Sequence, residues 1–325
     1  MEQKVLRFST VVIVGALILR LLGGSSLDFL LSPKAASWML FMQTGRLSKP
    51  VNIAPDNPTK TTAPTTPTTP APTQPVSVPT FSPDDAAAIT VSSGFTYQAD
   101  LPSLLTKPLS WDLTGSEPTV LIIHSHTTES YTGGDYQETS AYHTLDSGHN
   151  MLSVGNYLAE LLEAGGISVI HDTNLHDNPS YDLSYTNSRK SMQEYLKRYP
   201  TIRLVLDLHR DSYEDSAGNQ IAHTVFSEGE VLAPLMFVVG TDHGGLTHPQ
   251  WQENLSLALK LQTQLEDFCP GICRNLNLRT QRFNQDLSVG SLLIEVGASG
   301  NTHAQALKST EILAQAILSL AHGSK

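Results

Sequence analysis

From residue 82 onward the chain alternates between two hydrophobic periods. Short apolar runs recur at residues 119–123, 167–171, 202–208, 235–239 and 292–296, each of strand length. Between them, at 150–164, 184–199, 251–268 and 303–321, apolar residues return at helical spacing. In the first helical stretch Leu152, Tyr157, Leu158, Leu161 and Leu162 carry the repeat, and Gly165-Gly166 supplies a stop. Strands alternating with helices predict an α/β domain built on a central, mostly parallel sheet with helices on both faces. In such sheets functional side chains gather beyond the C-terminal ends of the strands.

The pattern ahead of residue 82 is different. Lys4 and Arg7 precede an apolar run over residues 8–19, which resumes beyond Arg20 as Leu21-Leu22 and Phe29-Leu30-Leu31. A membrane span needs about 20 residues, so residues 1–53 are expected to be a membrane anchor and juxtamembrane region, with Arg20 snorkelling to an interface. Positive residues before the run predict a single-pass protein with a cytoplasmic N-terminus and the remainder outside. A cleaved signal peptide is the rival, although Gly23-Gly24-Ser25-Ser26 makes a poor cleavage site; a cytosolic protein with an N-terminal helix is a third reading. Residues 54–80 carry 8 prolines and 9 threonines, which removes backbone donors and leaves almost nothing to bury, so 54–81 is expected to be a disordered linker. As polyproline II it would reach about 80 Å, long enough to hold a domain over residues 82–325 away from a bilayer.

Charge narrows the function. With 31 Asp+Glu against 20 Lys+Arg the formal charge is −11, and no basic patch offsets it, so nucleic acid is not expected as a partner. All 12 histidines follow residue 123. The run "VLIIHSHTTES" leads from an apolar strand into His124, His126 and Glu129, and "RLVLDLHRD" leads through Asp207 to His209, Arg210 and Asp211. In "SLLIEVG", Glu295 has apolar neighbours on both sides, so its carboxylate is expected to be partly buried with a raised pKa. A hydrolytic zinc centre joins these features: three imidazole or carboxylate ligands, an open position for water, and a nearby Glu to move protons. His126 and His209 are the first two ligands; Glu129, three residues beyond His126, competes with His124, His143 and His149 for the third place. Singly, a strand-end histidine is more often a hydrogen-bonded structural residue. No G-x-S-x-G elbow or Cys/His pair offers another nucleophile. Cys269 and Cys273 are read either as a disulfide, which an exported domain permits, or as free thiols.

The segments "VLIIHSHTTESY", "NMLSVGNYLAELLEAGGISVIHD", "SYTNSRKSMQEYLKRYP", "LVLDLHRD", "HPQWQENLSLALKLQ" and "RTQRFNQDLSVGSLLIEVGASGNT" resemble, in order, the stage II sporulation protein P family over residues 120 to about 302. The resemblance implies a membrane-anchored peptidoglycan hydrolase of endospore formers, acting in septal wall degradation and engulfment. It implies a fold like that of zinc N-acetylmuramoyl-L-alanine amidases, with amidase activity and cleavage of peptide cross-links. Other engulfment-complex membrane proteins, including a lytic transglycosylase, are the implied partners beside the peptidoglycan substrate. By position, His126 and His209 match the family's functional histidines, and "LLIEVGASGN" resembles the amidase strand that bears the catalytic Glu, here Glu295. In the general amidases a metal-binding Glu precedes the first long helix, where this chain has His149-Asn150, so Glu129 is kept as third ligand with His149 as runner-up. On this reading zinc activates a water, and Glu295 takes its proton and passes it to the leaving amine. Arg189, Arg210, Arg282, Asn284 and Gln285 are candidates to hold acidic or amide groups of the stem peptide, with salt bridges and turn contacts as their plainer roles. The alternative function is a peptidoglycan-binding or scaffold domain of the same fold without a metal.

Overall fold

A computed structural model describes residues 80–322 except 110, 111, 137 and 141. The expected membrane anchor and nearly all of the Pro/Thr linker lie outside the described residues. Among the described residues no helix is long and apolar enough to cross a membrane.

The strands are β1 (Val91–Ser93), β2 (Val120–Ile123), β3 (Glu138–Ser140), β4 (His143–Thr144), β5 (Val169–His171), β6 (Leu204–Asp211), β7 (Val225–Ser227), β8 (Glu230–Leu232), β9 (Leu235–Gly240), β10 (Leu276–Arg279) and β11 (Ser291–Ala298). The helices are α1 (Leu101–Thr106), α2 (Met151–Ala164), α3 (Ser184–Arg198), α4 (Trp251–Phe268) and α5 (His303–His322). Seven strands form one sheet in the order β1-β10-β9-β11-β6-β2-β5. The neighbours β5, β2, β6 and β11 run parallel, as do β9, β10 and β1, and the two sets meet at one antiparallel pair, β11 with β9. The sheet is therefore mostly parallel, as the alternation of strands and helices predicts. The two additional hairpins, β3–β4 and β7–β8, pair outside it.

Alternation along the strands decides what each sheet face does. Val120 and Ile122 of β2, Leu204, Leu206 and Leu208 of β6, Phe237 and Val239 of β9, Leu276 and Leu278 of β10, and Leu292, Ile294 and Val296 of β11 all enter the main core. That core also takes the buried faces of α2, α4 and α5. On the other face Leu121, Ile123 and Val205 pack with Met192, Tyr195 and Leu196 of α3. Helices thus lie on both faces, but α3 covers only the β2 side of the second. Farther across, among the described apolar residues only Phe283 packs on Met236, Val238 and Leu293. No described helix covers this part, and the candidate site residues His209 and Glu295 stand on the same face.

β6 continues through the polar residues His209, Arg210 and Asp211, so His209 stands within the strand and shares the second face with Val205 and Asp207. Asn150 caps α2 by accepting a hydrogen bond from Leu152 N (3.0 Å), and Gly165 closes it through Leu161 O (3.1 Å). Cys269 and Cys273 are free thiols, the second of the two readings. Burial first, and then Glu266 beside it, hold the Cys273 thiol well above its ordinary pKa.

Candidate metal centre

Directly after β2 the chain turns so that Glu129 N–H donates to His126 O (3.3 Å). Buried carboxylates pin this turn. Asp207 accepts from Ser125 N (2.7 Å) and Ser125 Oγ (2.6 Å), and Asp177 accepts from Thr128 Oγ1 (2.7 Å). The turn carries Glu129 to β6: its Oε1 lies 3.2 Å from His126 Nδ1 and its Oε2 3.4 Å from His209 Nδ1. Donor atoms of His126, Glu129 and His209 all fall within 4.8 Å of one another.

This donor set fits zinc. Two ligands about 2.0–2.1 Å from a tetrahedral ion stand roughly 3.3 Å apart, which matches both histidine–carboxylate separations. The ligands are also supported from behind. His209 Nε2 lies 3.0 Å from Asp207 Oδ1, a carboxylate behind the imidazole that orients the ring even though the pair is poorly aligned as a hydrogen bond. Arg210 N donates to Glu129 Oε2 (3.1 Å), and its guanidinium is held by Ser130 O (3.0 Å) and Tyr142 O (2.7 Å). Burial alone would raise the Glu129 pKa; Arg210 and the two histidines overcome it and hold the carboxyl well below its usual range. Burial would likewise lower the His209 pKa, but Asp207 and Glu129 hold it well above 6.5.

Glu295 pairs in register with His209 on the neighbouring strand. Its Oε2 is closed off from solvent and has no hydrogen-bond partner. Burial pushes its pKa up to about 8, with His209 opposing the rise and Glu129 adding to it. It therefore stands beside the ligands without belonging to their cluster. Tyr181 stacks on His126 with centroids 4.3 Å apart, and Tyr185 lies parallel to the His209 ring at 6.2 Å. These groups line one cavity of about 460 Å³, whose far wall includes Phe283, Asn277 and Arg279.

The alternative ligands lie elsewhere. His124 is fully buried with Nδ1 against Leu208 O (3.0 Å) and Nε2 against His171 Nε2 (2.8 Å); desolvation first, then His171, lowers its pKa to about 3. His149 turns to Asp146 (2.9 Å), and His143 Nδ1 meets Thr128 Oγ1 (3.0 Å). None of the three lines the cavity.

Four of the five candidate substrate contacts sit in their plainer roles as salt-bridge and turn residues. Arg189 makes a two-pronged pair with Asp286, both contacts at 2.8 Å, and Arg282 reaches Asp286 at 3.2 Å. Asn284 donates to Tyr185 O (2.8 Å) and Ser188 Oγ (3.1 Å). Gln285 accepts from Gly240 N (2.9 Å) and donates to Val238 O (2.8 Å). These bonds tie the loop that carries Phe283 to α3 and β9, so the four residues shape the cavity wall from behind. Only Arg210 lines the cavity, with its guanidinium already engaged. Tyr181, Tyr185, Phe283 and Arg279 were not anticipated from sequence, because a short helical turn, the first turn of α3, a loop and a distant strand bring them in.

A sequence profile described as Stage II sporulation protein P matches residues 48–318. Stage II sporulation protein P of Bacillus subtilis (strain 168) is 28% identical over 199 residues, 58% of this chain and 47% of that protein. The match thus spans about half the length of that curated relative. Among solved structures, N-acetylmuramoyl-L-alanine amidase AmiC2 of Nostoc punctiforme aligns with a TM-score of 0.38 at 16% identity, over 64% of this chain and 97% of that one. An N-acetylmuramoyl-L-alanine amidase from Clostridium difficile 630 aligns with a TM-score of 0.37 at 16% identity, over 62% of this chain and 94% of that one.

Proposed function

Because the chain belongs to the stage II sporulation protein P family, we propose that it is a sporulation peptidoglycan hydrolase, specifically a zinc-dependent N-acetylmuramoyl-L-alanine amidase that also cuts peptide cross-links. The observation that carries the chemistry is the meeting of His126, Glu129 and His209 within 4.8 Å, with the unpartnered Glu295 carboxyl beside them on β11.

Zinc held by His126, Glu129 and His209 would lower the pKa of a water and polarise the scissile carbonyl. Glu295 faces the same cavity, close to the ligands and free of partners; the positive charge of a bound ion would bring it to its ionised form, in which it would take the proton of the attacking water and return it to the leaving amine. Asp207 keeps the His209 ring oriented and Arg210 keeps Glu129 ionised. Tyr181 and Tyr185 wall the reacting centre against bulk water. Residues 1–53 anchor the protein in the membrane with its N-terminus in the cytoplasm, and the 54–81 linker lets the domain reach the wall. A lytic transglycosylase and other engulfment membrane proteins are the proposed partners.

The test is metal analysis of the purified chain together with mass spectrometry of peptidoglycan treated with it. Stoichiometric zinc and release of free stem peptides, both lost in His126→Ala and His209→Ala, are expected. Binding to the wall without product would assign the protein to the scaffold alternative.

A further inference from the structure

The cavity extends well beyond the reacting centre, and its floor is the helix-free part of the sheet. Alternation puts Glu295 and Leu293 of β11, Met236 and Val238 of β9, and Asn277 and Arg279 of β10 on this face; all six line the cavity. The register orders them: Glu295 stands opposite Met236, Leu293 opposite Val238, Val238 opposite Asn277, and Gly240 opposite Arg279. From Glu295 to Arg279 is two strand spacings across and four residues along, about 16 Å between Cα positions. The reach of the arginine side chain shortens this to about 10 Å, the length of about three residues of extended peptide. Between the two ends the floor is apolar, with Phe283 packed against it.

The charges divide along the same line. Near the reacting centre are Glu129, Glu295 and Asp211, and Arg210 is committed to Ser130 O, Tyr142 O and Glu129. Arg279 is exposed, and among the described residues nothing hydrogen-bonds or ion-pairs with its guanidinium. It is the cavity's free cation, on a chain whose formal charge is −11. A ligand that is apolar or amide-like for about three residues and then anionic matches this sequence of surfaces. Resting on the proposal of peptidoglycan hydrolysis, we propose that the stem peptide runs diagonally across β11, β9 and β10, with a free carboxylate at its second or third residue paired to Arg279. Arg279 is then a specificity determinant, favouring stems with free carboxylates over stems in which they are amidated.

The experiment compares the full-length chain with Arg279→Gln, using a muramyl tripeptide with free carboxylates and the same tripeptide carrying carboxamides. Binding is measured by calorimetry with metal chelated, so that turnover does not intrude, and hydrolysis is measured separately with zinc restored. Because an ion pair to an exposed arginine is worth little in water, the wild-type chain is expected to bind the carboxylate form about two- to fivefold more tightly than the carboxamide form. Arg279→Gln should bind both as weakly as the wild type binds the carboxamide, with an unchanged melting temperature. A variant that keeps the wild-type preference, or weakens on both ligands equally, overturns the subsite. Turnover without any Arg279-dependent preference leaves the hydrolase standing and removes the subsite. Arg279-dependent binding without turnover does the reverse, and neither binding nor turnover removes both.

Discussion

Glu129 is the side chain on which the proposed metal centre turns, because it touches both imidazoles and Arg210 stabilises its ionised form. His126, His209 and Glu295 could be picked out of the sequence because each lies at or just beyond an apolar strand. The third ligand stayed open between Glu129 and His149, since the turn that swings Glu129 onto β6 depends on Asp177 and Asp207, distant in sequence. Asp207 itself was visible only as a polar residue in a strand; its place behind His209 follows from two-residue alternation along β6. Removing a carboxylate behind a ligand costs roughly 10- to 100-fold in metal affinity, so Asp207→Asn is expected to weaken zinc binding by that amount and Glu129→Gln by more. His149→Gln should leave affinity unchanged. A chelator-competition titration checks the order, and His149→Gln weaker than Glu129→Gln would move the ligand to His149.

Two helices show how elements support the site from opposite sides of the sheet. α2 passes so close to the His124–His171 pair that a Cβ on Gly155 would overlap the Nε2 atoms of both rings. At an exposed helix position Gly→Ala stabilises by about 0.5–1 kcal/mol. Here overpacking costs about 1–3 kcal/mol, which outweighs that gain, so Gly155→Ala is expected to destabilise by up to about 2 kcal/mol in denaturant unfolding. A stabilised variant would mean that α2 does not press on the pair. On the other face, α3 is tied to the Phe283 loop by the Arg189–Asp286 pair. Arg189→Gln should therefore lower stability by up to about 1 kcal/mol while leaving KM for muropeptides unchanged; a raised KM with unchanged stability would return Arg189 to substrate binding. α2 to α5 were readable from the sequence because apolar residues return along them at helical spacing, whereas the six-residue α1 was not. β10 was not, because only Leu276 and Leu278 of its four residues are buried in the core and the rest reads as polar loop. How far α3 reaches across the sheet depends on tertiary packing, so the sequence left the open face, and with it Arg279, unseen.

At the scale of the whole chain, an anchored N-terminus and a linker of 8 prolines and 9 threonines would put the domain outside the membrane and within reach of the wall. Protease added to intact cells is then expected to release a fragment that begins within residues 54–80, and protection of that segment would count against export. The hydrolase itself is tested most directly at Glu295, where a general base and a structural carboxylate part company. Glu295→Gln keeps the volume of the side chain but cannot take a proton. General acid–base catalysis contributes about 10²- to 10⁴-fold, so this variant should retain zinc and substrate binding and melt as the parent does, while muropeptide release falls by about that factor. Release at near the parental rate, with zinc still bound, would contradict the mechanism.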